Sequence, residues 1–161
     1  MKYKYTVTTS ALDTRGRYAK RSIVEIEVSC GGSARKFLAL IDSGADQVTM
    51  PSAIADALAI DRDACEPRSL MGITMEPIDG FVAAVDIRVR NQSTTVKAPV
   101  VFIDTDIPVL LGQEAFFDAL RIRFERDHDT FEIVPAPVRV ADAQASAGTG
   151  HPAQPSKACI L

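Results

Sequence analysis

The chain has 161 residues, 47% of them hydrophobic, which suits one compact domain with a sizeable core. Eighteen basic against 21 acidic side chains leave a net charge of −3, so the overall balance excludes the positive field that nucleic acid or an anionic membrane would need. No run approaches the roughly 18 apolar residues of a membrane span, and the opening residues MKYKYTVTTS hold no apolar segment of secretory type. A cytoplasmic location is the expectation. Cys30, Cys65 and Cys159 are odd in number and far apart, with no Cys-x-x-Cys pair, which argues against a disulfide framework and a zinc site. The two histidines, His128 and His151, fall in a turn-like and a tail-like segment, poor material for Ser/His/Asp or Cys/His chemistry. An enzyme built from this chain without a cofactor must work with carboxylates.

In chain order, Tyr3, Tyr5 and Val7 alternate with Lys2, Lys4 and Thr6, and Val24, Ile26 and Val28 alternate with Glu25 and Glu27; both patterns predict half-buried strands. Residues 13–20 between them are polar, with Gly16, and predict a loop or hairpin connection. After Gly31-Gly32, the continuous run Phe37-Leu38-Ala39-Leu40-Ile41 predicts a strand buried on both faces, and it stops at Asp42-Ser43-Gly44. Pro51 to Leu58 predicts a short helix, with proline at its start and Ile54 and Leu58 four apart. Gly72 and Gly80 bracket an expected hairpin tip, and Val85, Ile87 and Val89 form the cleanest alternation in the chain. Asn91-Gln92 turns into a strand over 96–103, and Val109-Leu110-Leu111 is a short apolar run closed by Gly112. Residues 113–119 then predict a short helix, Leu120, Ile122 and Phe124 a strand, 126–129 a turn, and Phe131 and Ile133 a last strand. From about Pro135 the composition turns to alanine, proline, glycine and serine without periodicity, so 136–161 is expected to be a disordered tail. Cys159 stands third from the end, which does not meet the four-residue prenylation signal.

The feature with most chemical content is Leu40-Ile41-Asp42-Ser43-Gly44-Ala45-Asp46, an apolar strand that delivers a carboxylate, a hydroxyl and a glycine to its exit. Alone, Asp-Ser-Gly is also an ordinary turn, because both side chains bond nearby backbone N–H groups. Its conjunction with Val109-Leu110-Leu111-Gly112, about 67 residues later, is more specific.

Together these elements resemble the retroviral-type aspartic proteases over residues 22–134, and are similar in pattern to the protease-like domain of DNA-damage-inducible ubiquitin-shuttle proteins and bacterial relatives. The resemblance implies an all-β fold, a closed barrel-like acid protease lobe with short helices, one lobe per chain, working as a homodimer. Its implied division is an N-terminal strand and loop over 1–21, the protease domain over 22–135 and the tail over 136–161. Asp42 is then the catalytic carboxylate, Ser43 a brace across the two-fold axis, and Gly44 a carbonyl offered to substrate. Ala45 and Asp46 line the peptide site, and Gly72, Ile73 and Thr74 lie near the tip of a flap. No cofactor and no metal are implied.

The chemistry agrees with that role. Peptide hydrolysis by this route needs two carboxylates too close for both to ionise, so that one takes a proton from water while the other donates one. Asp-Ser-Gly occurs once, so two copies of the chain must meet. The chain departs from many viral members at Gln113, where they carry an arginine that pairs with the carboxylate matching Asp46, and in the flap, where Thr74, Met75, Glu76 and Pro77 replace glycines. The expectation is an aspartic endopeptidase acting on a peptide or protein substrate; the alternative is a noncatalytic homodimeric module that binds peptide or a partner in the same cleft.

Overall fold

A computed structural model describes residues 1–71 and 76–137. Among these residues the strands are, in order, β1 (Lys2–Lys4), β2 (Thr6–Leu12), β3 (Tyr18–Arg21), β4 (Ile23–Cys30), β5 (Ser33–Ile41), β6 (Val48–Pro51), β7 (Glu66–Met71), β8 (Pro77–Val89), β9 (Thr95–Ile103), β10 (Val109–Leu111), β11 (Leu120–Glu125) and β12 (Thr130–Pro135). Helical structure comes only in short pieces: α1 (Ser52–Ala57), 3₁₀ turns at Arg62–Ala64 and Arg126–His128, and an irregular turn at Gln113–Phe117.

Six strands in the order β4-β5-β10-β6-β9-β8 form a sheet that closes when β8 pairs back onto β4. Closure removes the open edges that a sheet of this size would otherwise expose. Period-two patterning points one side chain in two inward, so Val24, Ile26 and Val28 of β4 meet Val85, Ile87 and Val89 of β8 in the interior, all at most 3% exposed. The turn between β4 and β5 uses Gly31 and Gly32, both at positive φ, the backbone that a two-residue hairpin matched to sheet twist requires. Residues 100–103 of β9 are buried consecutively, because α1 and the Gln113–Phe117 turn cover the outer face there. Each fully buried side chain of that size contributes about 1.5–3 kcal/mol.

At 13 residues β8 serves two structures at once: its first part pairs with β7 as the stem of a hairpin, and its last four residues before Arg90 pair with β4. The expected hairpin is present, and Gly80, expected to bracket its tip, lies inside β8 opposite Arg68 and Ile103. Outside the barrel, β1, β12 and β11 form a three-stranded sheet, and β2 and β3 form a separate ribbon.

Several expectations need correction. The alternating run from Tyr3 to Val7 is not one strand: it breaks at Tyr5, so Tyr3 stacks on Phe131 in the terminal sheet while Val7 is carried out on the ribbon. The run 37–41 is not buried on both faces, since Leu38 is 68% exposed while Ala39 is 1% exposed. Among the described residues no element covers the outer face of β5 there, and burial alternates as in an ordinary one-sided strand. Residues 113–119 do not form a regular helix. Glu114 is extended and Ala115 sits at φ 64°, which opens the turn as the chain bends from β10 toward β11.

Candidate active site

The last residue of β5 is clamped before the chain leaves the sheet. Ile41 donates its N–H to the Ser22 carbonyl at 2.9 Å, and the buried Ser22 hydroxyl donates to the Ile41 carbonyl at 3.1 Å. Parallel pairing with β10 then runs one residue further, as the Asp42 N–H donates to the Leu111 carbonyl at 3.1 Å. Asp42 is therefore held at the exit of a rigid strand, half-buried.

Its carboxylate is oriented by its own loop. The Gly44 N–H donates to Asp42 Oδ1 at 2.9 Å, and the Ala45 N–H donates to the Asp42 carbonyl at 3.3 Å. A Cβ on Gly44 would lie 3.3 Å from that same Oδ1, so the glycine lets the backbone come close to the carboxylate. The second oxygen, Oδ2, accepts no bond from a described residue, and Ser43 is exposed with its hydroxyl equally unengaged among them.

A second segment straps the loop down from behind. The Gln113 N–H donates to the Ala45 carbonyl at 2.9 Å, the Glu114 N–H to the Asp46 carbonyl at 2.8 Å, and Gln113 Nε2 to the Ser43 carbonyl at 2.7 Å. Gly112 makes this contact possible, because a Cβ there would sit 2.3 Å from the Gln47 carbonyl oxygen and 2.7 Å from that of Ala45. Gln113 thus braces the loop through its hydrogen bond to the Ser43 carbonyl, with no ion pair to Asp46. Asp46 itself is exposed, and its carboxylate bonds no described residue.

Of the residues singled out in the sequence, Asp42, Ser43, Gly44, Ala45 and Asp46 lie in this one loop. Gly72, Ile73 and Thr74 lie outside the described residues, which show only the stem of their hairpin up to the pair Met71 and Pro77. Sequence reasoning missed Ser22 as a clamp and Gln113 as a brace. Neither has a local signal, because each acts on a loop 19 or 70 residues away. Two surface cavities, of about 240 Å³ beside Glu25, Lys36 and Arg90 and about 420 Å³ beside Asp13, Tyr18 and Arg126, lie away from Asp42. Among the described residues no three His, Cys, Asp or Glu side chains gather as a metal site would require, and no helix is long and apolar enough to cross a membrane.

Residues 24–115 match the family model described as Aspartyl protease. Among solved structures, the chain is similar to EIAV protease complexed with the inhibitor HBY-793, at 19% sequence identity and a TM-score of 0.47, covering 58% of this chain and 83% of that one. No curated protein matches the sequence.

Proposed function

The chain belongs to the aspartyl protease family, and from that premise we propose that it is a retropepsin-like aspartic endopeptidase whose active site forms between two copies, each contributing Asp42. The observation that carries this reading is the half-engaged carboxylate: Oδ1 is pinned by the Gly44 N–H while Oδ2 bonds no described residue. One such group is half a catalytic unit. When a two-fold axis brings the second Asp42 against it, like charge prevents both from ionising and the pair holds a single proton. The ionised member removes a proton from a water molecule as its oxygen attacks the peptide carbonyl carbon. The protonated member donates to the carbonyl oxygen, and the tetrahedral intermediate collapses as the leaving nitrogen takes a proton. The unengaged Ser43 hydroxyl is available to bond the partner's loop, and Ala45 and Asp46 border the extended peptide. Gly72, Ile73 and Thr74, which stand between β7 and β8 in the sequence, are assigned to the same peptide.

Asp42→Asn is the direct test. The amide has nearly the same shape and can still accept from Gly44, so circular dichroism and oligomer mass should match wild type. Turnover of a peptide library read by mass spectrometry should fall by at least about 10⁴-fold, since both general acid and base are lost together. Undiminished turnover by the folded variant removes Asp42 from the mechanism, and a wild-type protein that binds peptides without cutting them establishes the noncatalytic module instead.

A further inference from the structure

The β2–β3 ribbon is a sheet of only two strands, and such a unit has marginal stability in water unless something covers it. It exposes Val7 (50%), Leu12 (61%) and Tyr18 (57%), and Leu12 and Tyr18 face each other across the strands. Its base is tied to the turn before β12 by the Lys20–Asp129 ion pair. Charge is segregated there as well. Residues 6–21 carry the four cations Arg15, Arg17, Lys20 and Arg21 against the single acid Asp13, a balance of +3 in a chain of net −3, so the remainder carries −6. The side chains of Arg15 and Arg21 pair with no described residue.

The complement of this ribbon lies on the chain itself. Segments 52–66 and 104–118 hold eight carboxylates and one cation, Arg62, which is already engaged by Asp104. α1 and the Gln113–Phe117 turn both pack against β6 and β9, and Ser52 and Arg62 of the first segment bond Asp104 of the second, so the two share one acidic flank of the barrel. Exposed Ala53, Ala57, Ala59 and Ala64 lie between the carboxylates, short enough for larger side chains to rest on.

We infer that the β2–β3 ribbon of one copy docks on the acidic flank of a second copy, and that the two copies do this reciprocally about a two-fold axis. Opposite charges draw the ribbon in, and burial of Leu12 and Tyr18 holds it. Reciprocity follows from identity: each copy owns one ribbon and one flank, so a two-fold axis satisfies both contacts at once and closes the assembly, whereas head-to-tail docking would grow open chains. The inference rests on the two-subunit reading above and adds what binds the subunits together.

A charge-swap experiment on the full chain tests it. Arg15→Glu with Arg21→Glu makes the ribbon acidic, and Asp56→Lys with Asp63→Lys makes the flank basic. Each variant alone sets like against like, and its dimer dissociation constant by sedimentation equilibrium at low salt should rise by on the order of a hundredfold. Mixed together, the acidic ribbon meets the basic flank and the basic ribbon meets the acidic flank, so the mixture should recover a heterodimer. Independently of any variant, the wild-type dimer should weaken as salt is raised. A ribbon variant that dimerises like wild type overturns the inference, as does a mixture that stays monomeric while both variants keep the wild-type circular dichroism. Loss of binding to mixed phosphatidylserine and phosphatidylcholine vesicles with the dimer intact assigns the ribbon to a membrane surface and overturns it equally. Repeating the association measurement in the Asp42→Asn background separates the two readings: failure to cut peptide leaves the docking result standing.

Discussion

Gly112 and Ala115 sit three residues apart in the strap behind Asp42, and they make opposite demands on a side chain. Gly112→Ala forces a methyl into backbone atoms of Gln47 and Ala45 that have no rotamer by which to yield. It should cost about 1–3 kcal/mol of stability and displace the Asp42 loop, so turnover should fall by far more than the melting temperature suggests. Ala115 already holds a Cβ at φ 64°, where glycine is at ease. Ala115→Gly should therefore raise stability by about 1 kcal/mol, read from denaturant midpoints. The motif residues were legible from sequence because Asp42-Ser43-Gly44 and Leu110-Leu111-Gly112 each hold their chemistry within three positions. The amide of Gln113 was not, because its work depends on β10 lying beside β5, a tertiary fact that no local window contains.

Elements repeat that lesson. β4 and β8 could be read from alternation because the barrel gives each an inner face, whereas β5 misled because apolar residues also occupy its uncovered outer face. The break between β1 and β2 had no signal at all, since one alternating run continues through two sheets. The terminal sheet depends on Phe131, fully buried, with Tyr3 stacked at 5.5 Å and Tyr5 edge-on at 5.4 Å. Phe131→Ala should destabilise by about 3–5 kcal/mol and release β1, visible as faster hydrogen exchange at residues 2–4. Acid should loosen the same region. The Lys2 ammonium bonded to Glu125 holds that carboxyl below its usual range, and the Lys20 ammonium does the same for Asp129. A group depressed on folding stabilises above its unfolded pKa, and that contribution is lost as pH falls through the folded value. The stability lost below about pH 4 should therefore include that of these two anchors, and Lys2→Met should blunt the acid sensitivity of β1 exchange.

At the scale of the whole molecule, the proposed shared dyad makes activity depend on pairs. Equal amounts of wild-type and Asp42→Asn chains, unfolded together and refolded, give about one quarter wild-type pairs. Turnover should drop to about that quarter of an all-wild-type sample; a drop to only half means each chain works alone. The pairing of β1 with β12, Lys2 opposite Glu132 and Lys4 opposite Thr130, also bears on biosynthesis. On a ribosome adding about 5–20 residues per second, β1 emerges roughly ten seconds before the strand it needs. Through that interval the tyrosines of the first five residues have no Phe131 to rest on, and the terminal sheet is the last part of the molecule to close. Growing chains on neighbouring ribosomes thus hold an Asp42 loop long before they hold a finished lobe, and the proposed capacity to cut waits until translation of the domain is done.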